Sequence, residues 1–280
     1  MSKYVTIKSN VKSEKKGITM GQKAIFFDID GTLWDDKFQI PDSTREAFRL
    51  LKQRGHLSFI CTGRTMSYIQ DETLLSLGFD GIVAGCGTYI EKEKEVLFYK
   101  KIEPDILNST LNVLQPHRYP VVLEGREYLY VDEETFKDDP FLQVLKKSVP
   151  QNLTPITGNE MSWEASKLSI DIRGRECQEV LESLSGDFDV IYHGTDFVEL
   201  VPKGFSKATG IECACKQLGI AHQDTYAFGD SMNDYDMIHY VKHGIVMGNG
   251  REELKAIADY VTDDLKEDGI FNGLRHFALI

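Results

Sequence analysis

At 280 residues the chain is long enough to bury a sizeable core and to divide into two moderate domains. Lysine and arginine number 32 against 44 acidic residues, a net charge of −12, and no dense basic block stands outside the N-terminal stretch, which argues against a nucleic-acid surface. The scattered cysteines (Cys61, Cys86, Cys177, Cys213, Cys215) lack Cys-x-x-Cys spacing, as in a reduced cytosolic protein without a zinc site, and there is neither a signal-peptide core nor an apolar run approaching the ~20 residues of a membrane span. The expectation is a soluble, cytoplasmic protein with no membrane or nucleic-acid partner; an anionic ligand would be repelled by the overall field, so a metal and a few placed cations would have to receive it.

Residues 1–20 show no sustained periodicity and read as a tail. The apolar run Lys23-Ala24-Ile25-Phe26-Phe27 then predicts a buried strand that delivers Asp28-Ile29-Asp30-Gly31-Thr32 at its C-terminal end, the edge where open parallel sheets bind ligands. If extended geometry lasts through Asp30, both carboxylates face one side and invite a divalent cation; taken alone, the same residues also suit a strand end closed by a turn at Gly31. Trp34 to Ile40 reads as a loop, and Ser43 and Glu46 have the spacing of a capping box for a helix running to about Gln53, stopped by Gly55.

Leu57 to Cys61 predicts a second strand ending at Thr62-Gly63-Arg64, where a hydroxyl and backbone N–H groups can hold an anion, although the triplet alone reads as an ordinary turn. A helix over about Thr65 to Leu77 and a strand over Gly81 to Ala84 complete a β-α-β-α-β series, the pattern of a doubly wound sheet. Gly85-Cys86-Gly87 lacks the third glycine of a dinucleotide loop, and Tyr89 to Tyr99 reads as a solvated hairpin.

From about residue 88 to 193 short strands (Val121 to Leu123, Tyr128 to Val131, Leu168 to Ile172) alternate with helical patterns near 104–115, 136–148 and 175–185, the texture of an inserted α+β module. Its polar residues Glu124, Arg126, Lys167, Arg173 and His193 each suit a surface or turn position, and which of them touches a ligand is not legible here. Doubly wound texture resumes at Phe197 to Val201 and leads through Lys203 to Lys207 at a helix start, where an ammonium could reach a bound anion. Thr225 to Phe228 predicts another strand, ending in Gly229-Asp230-Ser231-Met232-Asn233-Asp234, which offers a further metal ligand or a helix cap. His239 and His243 could share a helix face on the surface; Asn249 with Glu252 would start the last short helix, between strands at Gly244 to Met247 and Tyr260-Val261.

Three strand ends thus carry Asp-x-Asp, Thr and Gly-Asp-x-x-Asn-Asp, with a helix-start lysine between the last two. With Met247-Gly248-Asn249 and Glu267-Asp268-Gly269, this combination resembles the haloacid dehalogenase superfamily, in its Cof-type branch with a type-2 cap. The resemblance implies an α/β fold: a doubly wound parallel-sheet core at 21–87 and 194–280, with the α+β cap inserted at 88–193. It implies a Mg²⁺-dependent phosphatase of a small phosphorylated metabolite, with Asp28 as nucleophile and Asp30 as general acid and base. Ile29, Thr62, Gly63, Lys207 and Asn233 would bind the phosphoryl group, Lys207 being favoured over Lys203. The metal would be held by Asp28, the Asp30 backbone carbonyl and Asp230, with Asp234 orienting its shell. The chain departs from the family in having Cys86-Gly87 where Asn-Gly is common and Gly250 after Asn249 where Ala is usual. A sugar phosphomutase and a non-catalytic phospho-ligand sensor are the alternatives, and a monomer or homodimer is expected.

Overall fold

In the computed structural model residues 21–158 and 162–280 are described; the N-terminal segment read above as a tail lies outside them. Ala24–Phe27 (β1) is wholly buried, and its alternation sends Ile25 and Phe27 into one apolar layer and Ala24 and Phe26 into the other. The first layer packs under helices Asp42–Gln53 and Gly269–His276, the second under Lys207–Leu218 and Tyr235–Tyr240, so helices cover both sheet faces. Phe26, Phe27, Phe59 and Phe228 are fully buried, and each such side chain contributes roughly 2–3 kcal/mol.

Beside β1 lie Leu57–Cys61 (β2) and, beyond it, Gly81–Ala84 (β3), Tyr89–Lys92 (β4) and Glu95–Tyr99 (β5). The inserted module carries Val121–Glu124 (β6), Leu129–Val131 (β7), Leu153–Pro155 (β8), Lys167–Asp171 (β9), Phe188–His193 (β10) and Phe197–Pro202 (β11). The chain then returns with Thr225–Gly229 (β12), His243–Val246 (β13) and Tyr260–Val261 (β14). The first sheet has the order β14-β13-β12-β1-β2-β3-β4-β5, parallel as far as β3 and antiparallel beyond it; the second has the order β10-β11-β9-β6-β7-β8. β1 therefore stands between β12 and β2, with Phe27 level with Phe228 and Ile60, and the ends of these three strands lie side by side.

The sheets divide the chain differently from the sequence boundaries at 87/88 and 193/194. The turn at Gly85–Thr88 folds β4 back onto β3, so the hairpin at 89–99 extends the first sheet. β11, read as a resumption of the core, pairs with β9 and β10 in the second sheet. Alternation along β9 and β11 buries Leu168, Ile170, Val198 and Leu200 under the module's helices and leaves Lys167, Ser169 and Glu199 on the opposite face.

Four local expectations are corrected. Extended Pro41 starts the first helix at Asp42, which puts Ser43 inside the first turn; its hydroxyl has no partner, and Glu46 pairs with Arg49 instead of closing a capping box. The helix expected over 65–77 is a short turn at Met66–Tyr68 and a helix at Glu72–Leu75 capped by Asp71, because Thr65 and Ser67 turn aside to bond Glu124 and the Gly125 carbonyl. Asn249 caps no helix; its amide donates to the Gly31 carbonyl at 2.8 Å and its oxygen accepts from Leu265 N. His243 lies on β13, off the helix of His239. No helix among the described residues is long and apolar enough to cross a membrane.

Candidate active site

Asp28 follows β1 and is tied to the next strand by its N–H, which donates to Phe228 O at 3.0 Å. Its carboxylate is buried, and Oδ1 accepts from Lys207 Nζ at 2.6 Å. Lys207 opens a helix that Ser206 and Thr209 cap reciprocally, and this fixes where its side chain leaves the backbone. The same ammonium donates to Asp234 Oδ1 at 2.5 Å, while Asp234 Oδ2 accepts from the N–H groups of Asp230 and Ser231 at 2.9 and 3.2 Å. Asp230 Oδ1 accepts the Thr32 hydroxyl at 3.0 Å. Gly31, at φ +85°, passes so close that a Cβ there would stand 2.4 Å from Asp230 Oδ2.

Asp28, Asp230 and Asp234 each offer a carboxylate oxygen within 4.8 Å of the others. Burial, then the charges of Asp234 and Asp230, push Asp28 well above the usual carboxylate range against the pull of Lys207. Burial and Asp234 raise Asp230 to about 7. Lys207, which burial would discharge, is held well above its ordinary value by Asp234 and Asp28. Three acids around one ammonium leave excess negative charge on hard oxygen donors, a set that fits a cation of the Mg²⁺ kind.

Asp30 stands apart from this cluster. After Asp28, whose N–H still bonds β12, the chain turns: Ile29 O accepts from the Thr32, Leu33 and Trp34 N–H groups, and the Asp30 carboxylate, which lines the same cavity as Asp28, is bonded by other partners than Lys207. The Asp30 side chain is 53% exposed and is gripped bidentately by Arg64, from Nε to Oδ2 at 2.9 Å and from the terminal nitrogen to Oδ1 at 2.7 Å, with Trp34 Nε1 on Oδ1 at 2.8 Å. The Arg64 guanidinium lies 4.6 Å from the Tyr68 ring centre and 5.4 Å from that of Trp34. The Ile29 side chain is buried in the core, so only its backbone is available to the site.

A cavity of about 250 Å³ is lined by Asp28, Asp30, Thr62, Gly63, Arg64, Ser231 and Asn233 from the first domain, and by His193 and Glu199 from the module. Thr62 N donates to Val83 O, its hydroxyl accepts from Arg64 N at 3.1 Å, and Asn233 Oδ1 accepts from Ser231 Oγ. Of the module's polar candidates, His193 reaches the cavity. Lys167 and Glu124 join Glu199 in a buried ion cluster, while Arg126 lies over the Tyr89 ring and Arg173 pairs with Asp171.

Sequence reasoning missed Thr32, Arg64 and Glu199. Arg64 was in plain view in the Thr-Gly-Arg triplet, and a lone acid inside the apolar run Phe-Val-Glu-Leu-Val was the signal for Glu199. Cys86, where the family commonly has Asn, keeps a donor at the site: its Sγ lies 3.7 Å from Glu199 Oε2, and burial pushes the thiol to about 12.

The haloacid dehalogenase-like hydrolase family matches residues 25–274. The chain is 30% identical to YkrA of Bacillus subtilis over 266 residues, covering 93% of this chain and all of the relative. It is 27% identical to the B. subtilis 5-amino-6-(5-phospho-D-ribitylamino)uracil phosphatase YcsE, covering 92% and 96% of the two chains. Among solved structures, that of the HAD subclass IIB sugar phosphatase BT4131 superposes with a TM-score of 0.78 at 28% identity, over 92% of this chain and 100% of the other. With the core sheet, the separate inserted sheet and the strand-end aspartates in place, the chain belongs to the haloacid dehalogenase-like hydrolases and is a phosphatase of that family.

Proposed function

We propose that the protein is a Mg²⁺-dependent phosphatase of small phosphorylated metabolites, sugar phosphates or similar monoesters, acting through an aspartyl phosphate on Asp28. The observation that carries this reading is the convergence of Asp28, Asp230 and Asp234 within 4.8 Å around buried Lys207, beside a cavity sized for a small molecule. A carboxylate oxygen of Asp28 attacks phosphorus and the bond to the leaving oxygen breaks, with Asp30 giving that oxygen a proton. Asp30 then takes a proton from water as its oxygen attacks phosphorus; the bond to Asp28 breaks, leaving inorganic phosphate and the free carboxylate.

Lys207, fixed on Asp28 Oδ1, orients the nucleophile, while Thr62, the Gly63 N–H, Asn233 and the Ile29 backbone hold phosphoryl oxygens as charge develops. Asp28, Asp230 and the Asp30 carbonyl would hold Mg²⁺, with Asp234 orienting them, and the ion would supply positive charge at the phosphoryl group and favour the ionised form of Asp28 despite its burial. The relatives' names, a phosphoribityl compound for YcsE and sugars for BT4131, support a polyhydroxylated leaving group. Phosphate release from a panel of monoesters, with and without Mg²⁺, tests the proposal. Metal-dependent release by wild type that disappears in Asp28→Asn is the expected result; equal release by the variant removes Asp28 from the nucleophile's role.

A further inference from the structure

The second sheet presents an ionised carboxylate to the cavity, and it is built to stay there. Glu199 lies on β11 with its side chain on the face opposite the module's helices, and it lines the same cavity as Asp28 and Asp30. Lys167, buried on the neighbouring strand, contacts Oε1; Cys86 Sγ and His193 Nε2 lie 3.7 and 3.3 Å from Oε2. Lys167 is shared with Glu124, 3.6 Å away, whose other contacts are the hydroxyls of Ser169 and Thr65, so the cluster spans both domains. Burial alone would protonate Glu199, but Lys167 and then His193 outweigh it and hold the acid at about 2. The wall facing the nucleophile therefore presents an ionised carboxylate near neutral pH, paired with the Lys167 ammonium. Its other polar member is His193, and Arg64, the cation on the first domain's side, is occupied by Asp30.

The geometry points to Glu199 as the specificity-determining residue of this enzyme: with His193 beside it and Lys167 positioning it, it accepts hydrogen bonds from the hydroxyl or ammonium groups of a leaving group and rejects leaving groups that carry a second anion. Like charges facing each other across a site are costly, and a carboxylate leaves the neutral polyol unaffected while penalising its oxidised counterpart. Among the described residues that line the cavity there is no Phe, Tyr or Trp, and His193 brings the one ring, so polar side chains dominate the wall. The same wall disfavours a bisphosphate, and with it the mutase alternative.

This inference rests on the phosphatase reading, and the two fail separately when it is measured as binding. Calorimetry with Asp28→Asn in Mg²⁺ compares glycerol 3-phosphate with 3-phosphoglycerate, which differ only in a terminal CH₂OH against a carboxylate. Glycerol 3-phosphate is expected to bind more tightly by about tenfold or more, Glu199→Gln to bring the ratio close to one, and Glu199→Asp, which keeps the charge, to retain most of it. Equal binding of the two esters to the Asp28→Asn protein overturns the inference without any Glu199 variant, as does a preference that Glu199→Gln leaves intact. A failure of wild type to release phosphate from either ester would count against the phosphatase reading alone, because the binding ratio does not depend on turnover.

Discussion

Replacing Lys207 by methionine keeps most of the side chain's volume and removes the one ammonium that bonds both Asp28 and Asp234. All three residues are buried, so the loss strands two carboxylates away from water with Asp230 close by. Removing one partner of a buried ion pair costs about 3–5 kcal/mol. For a chain of this size, at about 2–4 °C per kcal/mol, the melting temperature should fall by roughly 6–20 °C.

The loss has a defined pH dependence. Without Lys207 the carboxylates are raised further in the folded state than in the unfolded one, so protonation favours folding. The destabilisation is small below the unfolded carboxylate value and grows as pH rises through the folded one. Thermal unfolding in chelator should therefore show a larger gap between variant and wild type at pH 8 than at pH 5, and added Mg²⁺ should narrow it at pH 8. A variant that melts within a degree of wild type at pH 8 in chelator would refute the claim that Lys207 balances this cluster.

The same linkage acts in the wild-type protein. Because Asp230 is raised to about 7 when folded, metal-free protein should lose stability as pH climbs from about 4 through 7, and saturating Mg²⁺ should flatten that slope in a pH series of melting curves. Protons should also compete with the metal, so the Mg²⁺ concentration for half-maximal phosphate release should rise as pH falls below 7. Asp30→Asn should lower kcat/KM, which reports the steps through phosphoryl transfer to Asp28, by about 10²–10⁴ for alkyl phosphates and much less for p-nitrophenyl phosphate, whose leaving group needs no proton; equal losses of kcat/KM for both esters would remove the acid role. Gly31→Ala places a methyl against Asp230 at a backbone angle that alanine resists, so stability should drop by about 1–3 kcal/mol with weakened Mg²⁺ activation, read by melting curves and metal titration.

Local pattern made the strand-end motifs legible. Four buried residues ending in Asp28, a similar run ending in Thr62 and another ending in Asp230 announce strands, and parallel strands in a doubly wound sheet deliver their C-terminal residues to one edge. A lysine at this helix start was legible as a candidate, and the family resemblance, not the local pattern, favoured Lys207 over Lys203. The short hairpin at 89–99 and the strand at 197–202 carried no such mark of membership. Which sheet a strand joins depends on the partner that pairs its backbone, and the strand's own residues do not name that partner.

The direction of Asp30 shows the limit most clearly. Period-two alternation puts it on the side of Asp28, and both line the cavity, but no local pattern showed that a turn closes on Ile29 O there or that an arginine from the next strand's turn takes the carboxylate. Glu199 and Lys167 meet because β11 and β9 are neighbours, although 32 residues separate them in the chain. The sequence by itself determined the two-domain α/β character and the acids and lysine brought to the sheet edge, because these follow from local periodicity and turn chemistry. The tertiary structure alone decided which charges are buried, which pair and which face the cavity, because ion pairing and desolvation depend on distances between strands and domains, and no local spacing encodes those distances.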